Sequence, residues 1–168
     1  MMIDIALEAD EEWDSSSSWV DLAHRAAEAA IAESAFPQLA TSARVTQISV
    51  LLTGDEEVRA LNDRWRGKDK PTNVLSFPMA DDAELNGSNV AGVELLLGDI
   101  IIARGVCAAE AAEKDITLED HAAHLLVHGT LHLLGYDHID HEQADDMEAR
   151  EIRALHRLGI ANPYGMTS

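Results

Sequence analysis

A single α+β domain, in which a small mixed β-sheet is covered by helices, is predicted for this chain by three features. Its 168 residues are the length of one ordinary domain, with chain enough to bury a core. Strand-like and helix-like segments follow one another in the order β-α-β-α-β-β-α-α-α, with no repeat at a fixed period and no long linker. Near the carboxyl-terminal end, a helix and the turn after it carry histidines in the spacing H-x3-H-x5-H, which suits a metal ion.

Each element has its own local signature. "IDIAL" places Ile3, Ile5 and Leu7 on one side, as a half-buried strand requires. After an acidic, serine-rich loop, "SSWVDLAHRAAEAAIAESA" reads as an alanine-rich helix with a serine available as N-cap and Pro37 beyond its end. "VTQISVLLT" is β-branched and apolar, a second strand that Gly54 ends. "DEEVRALNDRW" has Val58, Leu61 and Trp65 at helical spacing, which predicts that Trp65 lies in the core rather than serving as a platform for a ligand. "NVLSFP", stopped by Pro78, and "LLGDIIIA" are the remaining strands, and the acidic, glycine-containing segment between them is expected to be a hairpin arm or exposed loop. "RGVCAAEAAEK" is helical. "TLEDHAAHLLVHGTLHLLG" follows, with Thr117 and Asp120 placed as a cap and its reciprocal partner and Gly135 as the stop. A last helix from about Asp140 to Leu158 carries Met147, Leu155 and Leu158, with acids early and arginines late as the helix dipole prefers.

Composition narrows the function. The start "MMIDIALEADEEW" has acids where a signal peptide needs a basic and then apolar run, and no apolar stretch reaches membrane-spanning length. A soluble, cytoplasmic protein with no membrane partner is expected. The one cysteine, Cys107, lies in an apolar helical context and reads as a buried, inert thiol. Twelve Lys+Arg against 31 Asp+Glu give a formal net charge of −19, which repels nucleic acid at long range and argues against a general nucleic-acid coat protein. The bases are uneven, however: "RWRGKDK" holds Arg64, Arg66, Lys68 and Lys70, four of the twelve, and could bind one anionic site or be a solvated turn.

The histidines carry the chemistry. At 100° per residue, His121, His124, His128 and His132 fall within roughly 80° of one another on a helix that is otherwise apolar and therefore buried. Imidazoles at i and i+4 point the same way one turn apart, so His128 and His132 can reach one ion. Gly135 permits a left-handed turn, and "GYDH" then returns a third imidazole, His138. Three neutral nitrogens suit one zinc ion per chain, although imidazole also serves copper, nickel and iron. Three protein ligands leave a fourth position open, as catalytic sites do. The spacing is that of zinc endopeptidases, but where those carry a glutamate base after the first histidine this chain has Gly129.

Two separated blocks, "HAAHLLVHGTLHLLGYDH" and "LNDRWRGKDKPTNVLSFP" with "LGDIIIA" after it, resemble the YbeY family of bacterial metal-dependent endoribonucleases, the rRNA maturation factors. The blocks cover much of residues 55 to 140, and a zinc protease has no reason to carry the second. The resemblance implies one such domain over residues 1–168, with His128, His132 and His138 as zinc ligands and Arg66 as the functional arginine. Where the family commonly has tyrosine before that arginine, this chain has Trp65. It also implies single-strand-directed cleavage of RNA in the maturation of small-subunit (16S) rRNA, a part in ribosome quality control, and association with the ribosome or ribosomal proteins. The chemistry is coherent without a glutamate. A zinc ion can act on a phosphoryl oxygen as Lewis acid and lower the pKa of water, and an arginine fork can stabilise charge on non-bridging oxygens.

Other residues keep two readings. His124 could touch substrate or hydrogen-bond inside the core, and the core reading is favoured; Asp137 could orient an imidazole or merely occupy a turn. Arg64 and Lys68 could contact substrate beside Arg66. His141 is expected to be exposed in the first turn of the last helix, Arg150, Arg153 and Arg157 to form a solvated or dipole-complementing face, and Ser76 to have no nucleophilic role. Two rivals remain: a metallopeptidase that draws its base from elsewhere, against which Gly129 counts, and a non-catalytic ribosome-assembly factor with a structural zinc.

Overall fold

The computed structural model describes residues 3–13, 18–40, 45–81, 85, 94–137 and 139–164. Its elements are β1 (Ile3–Ala9), α1 (Trp19–Ala32), a 3-10 turn (Pro37–Ala40), β2 (Thr46–Thr53), α2 (Asp55–Arg66), β3 (Val74–Pro78), β4 (Leu95–Ala103), α3 (Arg104–Lys114), α4 (Leu118–Leu133) and α5 (His141–Arg157). The order is the one expected, and the four strands form one mixed sheet, β1-β2-β4-β3. β1, β2 and β4 run parallel, and β3 closes the edge antiparallel to β4; between β3 and β4 runs the acidic segment for which a hairpin arm or exposed loop was expected. Most of that segment lies outside the described residues; Leu85 within it is buried. Among the described residues, no helix is long and apolar enough to cross a membrane.

The main core fills one side of the sheet. Ile48, Val50 and Leu52 of β2 and Leu95, Leu97, Ile100 and Ile102 of β4 pack there with the alanine face of α1 and the apolar residues of α4. Small side chains at Ala23, Ala26, Ala27, Ala30, Ala122 and Ala123 are all but fully buried, which lets the two helices approach each other closely. A smaller cluster of Val58, Leu75, Ile101 and Ala103 holds α2 against the other side. Ser18 stands at the N-cap of α1 but its side chain makes no capping bond, whereas Thr117 accepts from the Asp120 amide at 3.0 Å and starts α4 as read. The residue before Gly135 ends that helix, with Gly135 at φ +99°.

One irregularity falls where β4 passes close to β3 and α4. Between β2 and β4 the register passes from Gln47↔Leu96 to Ile48↔Gly98, leaving Leu97 as an extra residue. Gly98 adopts φ +142°, and a Cβ there would collide with the Phe77 carbonyl oxygen and lie 2.9 Å from Leu133 Cδ2. Gly98→Ala is therefore expected to destabilise the protein by about 2–4 kcal/mol, from backbone strain plus overpacking. Urea denaturation that found the variant as stable as wild type would show that β3 can move aside at no cost.

Candidate functional site

Helix α4 presents the histidines because its opposite side is committed to the sheet. A Cβ at position 129 would sit 3.0 Å from Ile100 Cγ2, so residue 129 faces β4 and not the stripe that carries His128 and His132. A glutamate there would be driven into the core. Position 129 is thus not placed to supply a protease-type base beside the histidines.

On the histidine side, His128 Nε2 and His132 Nε2 face each other at 3.0 Å. Two nitrogen ligands of a tetrahedral zinc stand about 3.3 Å apart, so this spacing suits a shared ion. Glu151, which reaches in from α5, decides which way the first ring points. His128 Nδ1 donates to Glu151 Oε2 at 2.7 Å, which leaves the Nε2 lone pair turned toward His132. His124 Nε2 donates to Glu151 Oε1 at 2.9 Å, and the Tyr164 hydroxyl donates to the same oxygen. Burial of this carboxylate, only 1% exposed, raises its pKa, but the hydrogen bonds from His124 and His128 outweigh that and hold it at about 2. Glu151 is therefore a carboxylate across the physiological range.

The fit to a metal thus rests on two converging imidazoles and an anion that fixes the tautomer of one of them. His138 lies outside the described residues. Among those described, no third His, Cys, Asp or Glu completes a set of donors with His128 and His132.

The basic segment shares a cleft with this centre. Arg66 is the last residue of α2, before Gly67 in the left-handed region at φ +69°. The following loop is pinned by the buried Asn62, whose Nδ2 donates to the Lys70 carbonyl at 2.9 Å, and by an ion pair between Arg59 and Asp69. A cleft of about 580 Å³ results, lined by Arg66, Thr72, Asn73, Val74, Ser76, His128, His132 and Asp137 among others. A second cleft of about 410 Å³ adjoins it, sharing Arg66, Thr72, Asn73 and Val74 and lined also by Lys68 and Lys70. Residues some 60 positions apart in sequence are thereby brought to one surface.

The structure sorts the remaining residues. His124 is buried and bonded to Glu151, and it also lines a cleft of about 300 Å³ together with Asn73, His121 and His128. Asp137 lines the cleft, and Lys68 lines its neighbour. Arg64 lies over the Trp65 ring, its guanidinium carbon 5.2 Å from the ring centre. Trp65 is a correction: it is 62% exposed, because α2 buries only Val58 and Asn62 and its last turn stands clear of the core. The arginines of α5 do more than complement a dipole. Arg153 and Arg157 bond the Glu33 carboxylate at 2.9 and 2.6 Å and Arg150 bonds the Glu33 carbonyl at 2.6 Å, locking α5 to the end of α1. Cys107 is buried, and desolvation pushes its thiol pKa up to about 12, which makes it inert as expected. His141 is exposed at the start of α5. Ser76 is buried against the cleft.

Glu151 is the residue that sequence reasoning missed. Its signal was present: it stands four residues after Met147 and four before Leu155, both buried, so an acid occupies the apolar stripe of α5. Asn73 was missed as well. Its Nδ2 donates to Glu110, which also accepts from His121 Nε2 at 2.8 Å, so it ties the cleft wall to α3 and α4. Burial lowers the pKa of His121, against the opposing effect of its hydrogen bond to Glu110.

Comparison with known proteins agrees with these features. The family model described as "Endoribonuclease YbeY" matches residues 7–159. A protein of Rhizorhabdus wittichii named "Endoribonuclease YbeY" is 50% identical over 167 residues, covering 99% of each chain. One of the same name from Sphingopyxis alaskensis is 48% identical over 164 residues, covering 97% of this chain and 98% of its own. A Thermotoga maritima protein with a known solution structure shares the fold, with TM-score 0.53 and 24% identity over 94% of this chain and 92% of that one. A match that runs nearly end to end, at half identity, takes in the basic loop, β3, β4 and the histidine helix together, and by it the chain belongs to the YbeY endoribonuclease family.

Proposed function

We propose that the chain is a zinc-dependent endoribonuclease that cuts single-stranded RNA, acting in maturation of small-subunit rRNA and in ribosome quality control. The observation that carries this reading is the convergence of His128 Nε2 and His132 Nε2, 3.0 Å apart, in the cleft that Arg66 also lines. The names of the relatives support RNA as substrate. Ribosomal components are the partners this reading implies, and the cytoplasm its compartment.

In this reading His128, His132 and His138 hold the metal. A bound zinc ion would supply Lewis acidity toward a phosphoryl oxygen and make water a better nucleophile near neutral pH. The protein's own groups do the rest. Glu151 keeps the proton of His128 on Nδ1 and the Nε2 lone pair in the cleft. Arg66 offers two parallel N–H donors to the non-bridging oxygens of the scissile phosphate, where charge grows during cleavage. Asp137, in the cleft wall, is placed to orient a ligand or a water. Lys68 and Lys70, along the adjoining cleft, attract the phosphates on one side of the cut.

The test loads the purified protein with metal and offers single-stranded RNA, duplex RNA and casein, with and without chelator, beside His128→Ala and His132→Ala variants prepared identically. About one zinc per chain is expected in the wild type and most of it absent from either variant. Single-stranded RNA should be cut faster than duplex, and only by the metal-loaded wild type. Casein cleavage with RNA untouched would establish a peptidase instead, and bound zinc without any cleavage a structural role for the metal.

A further inference from the structure

The indole of Trp65 belongs to neither core cluster. Of the three tryptophans in the chain, Trp13 and Trp19 are 3% and 5% exposed and pack edge to face, whereas Trp65 is 62% exposed at the end of α2. A tryptophan is highly buried on average, because exposing its large apolar face costs hydration free energy. This one stands between Arg64 and Arg66, with Lys68 and Lys70 following, on a chain whose formal net charge is −19. Arg66 lines both clefts, the one holding His128 and His132 and the one holding Lys68 and Lys70. The Arg64 guanidinium lies against the indole, 5.2 Å from its centre, where its charge is held beside the ring.

We propose that Trp65 is a stacking platform for an unpaired base of the RNA strand, next to the phosphate that Arg66 engages. The inference rests on the proposed RNA substrate and adds the determinant of single-strand selectivity. A polyanion with flat, unpaired bases matches both halves of the site, since phosphates meet the cationic segment while a base lies on the indole. In a duplex the bases are already stacked on one another and present no free face, so the same platform contributes nothing. An exposed aromatic residue beside a basic loop thereby favours single strands without reading sequence.

Binding of a short, nuclease-resistant 2′-O-methyl oligoadenylate to the full-length, metal-loaded protein tests this. Since Trp13 and Trp19 are buried, quenching of tryptophan fluorescence by the oligonucleotide should come from Trp65 and vanish in Trp65→Phe. Trp65→Ala should weaken binding roughly 5- to 150-fold, the usual range for losing one base–aromatic stack, and Trp65→Tyr should recover most of it. An abasic oligonucleotide of the same length and charge should bind wild type and Trp65→Ala alike, and the salt dependence of binding should be the same in both. In cleavage of single-stranded RNA, Trp65→Ala should raise KM with little change in kcat. If Trp65→Ala binds the oligoadenylate as wild type does, or loses affinity for the abasic strand equally, the platform is overturned while the RNA substrate stands. A wild-type protein that neither binds nor cuts RNA overturns both readings.

Discussion

Replacing Arg66 with alanine is expected to slow single-turnover RNA cleavage by roughly 10²–10³-fold, about 2.7–4 kcal/mol of transition-state stabilisation, the usual cost of one preorganised donor. Zinc content and thermal stability should stay near wild type. The side chain is exposed at the end of α2 and adds nothing to the core. It lines the same cleft as His128 and His132, where it would hold a bound phosphate. Arg66→Lys should restore part of the rate, since an ammonium keeps the charge and loses the planar fork. The competing account is that Arg66 is one member of a diffuse basic patch. The geometry separates the two, because Lys68 and Lys70 line only the adjoining cleft and Arg64 is held on Trp65. Lys68→Ala should therefore weaken binding and shallow its salt dependence while leaving the single-turnover rate unchanged. An Arg66→Ala protein that cleaves at the wild-type rate once RNA is saturating would remove Arg66 from the chemistry.

Glu151→Ala is expected to be the most damaging single substitution outside the histidines. It would leave the Nδ1–H of His128 and the Nε2–H of His124 without their acceptor, and open a void beneath Tyr164. Removing one partner of a buried, hydrogen-bonded ionic group costs about 3–5 kcal/mol, and that loss should appear in urea denaturation of the metal-free protein. Zinc affinity should fall about 10- to 100-fold, because His128 would no longer be held with its lone pair in the cleft. Glu151→Gln separates the two effects. The amide keeps the volume and one acceptor oxygen, so most of the stability should return, while its NH₂ competes with one imidazole N–H and keeps zinc binding weakened. Zinc competition against a colorimetric chelator measures this directly. Equal affinity in wild type and both variants would show that Glu151 serves the fold alone.

The histidine helix was legible because its chemistry is local. Once a segment is helical, residues four apart are neighbours whatever else the protein does, so the convergence of His128 and His132 follows from spacing. The Thr117 cap, the stop at Gly135 and the alternation of Ile3, Ile5 and Leu7 are likewise decided within a few residues. Trp65 was misread for the converse reason. Helical spacing says that Val58, Leu61 and Trp65 share a side, but not how far along α2 the sheet extends, and it ends before the last turn.

Legible along the chain were the α+β class, the element order, the histidine spacing and, through its two blocks, the family. Tertiary structure alone decided that Glu151 arrives from 23 residues away to orient His128, and that Gly129 is pressed against Ile100. It also decided that Arg66 shares a cleft with the histidines and that Trp65 stays in water. The division is one of range: backbone geometry and capping are settled by neighbours along the chain, whereas burial and long-range hydrogen bonds depend on which distant element comes to lie alongside.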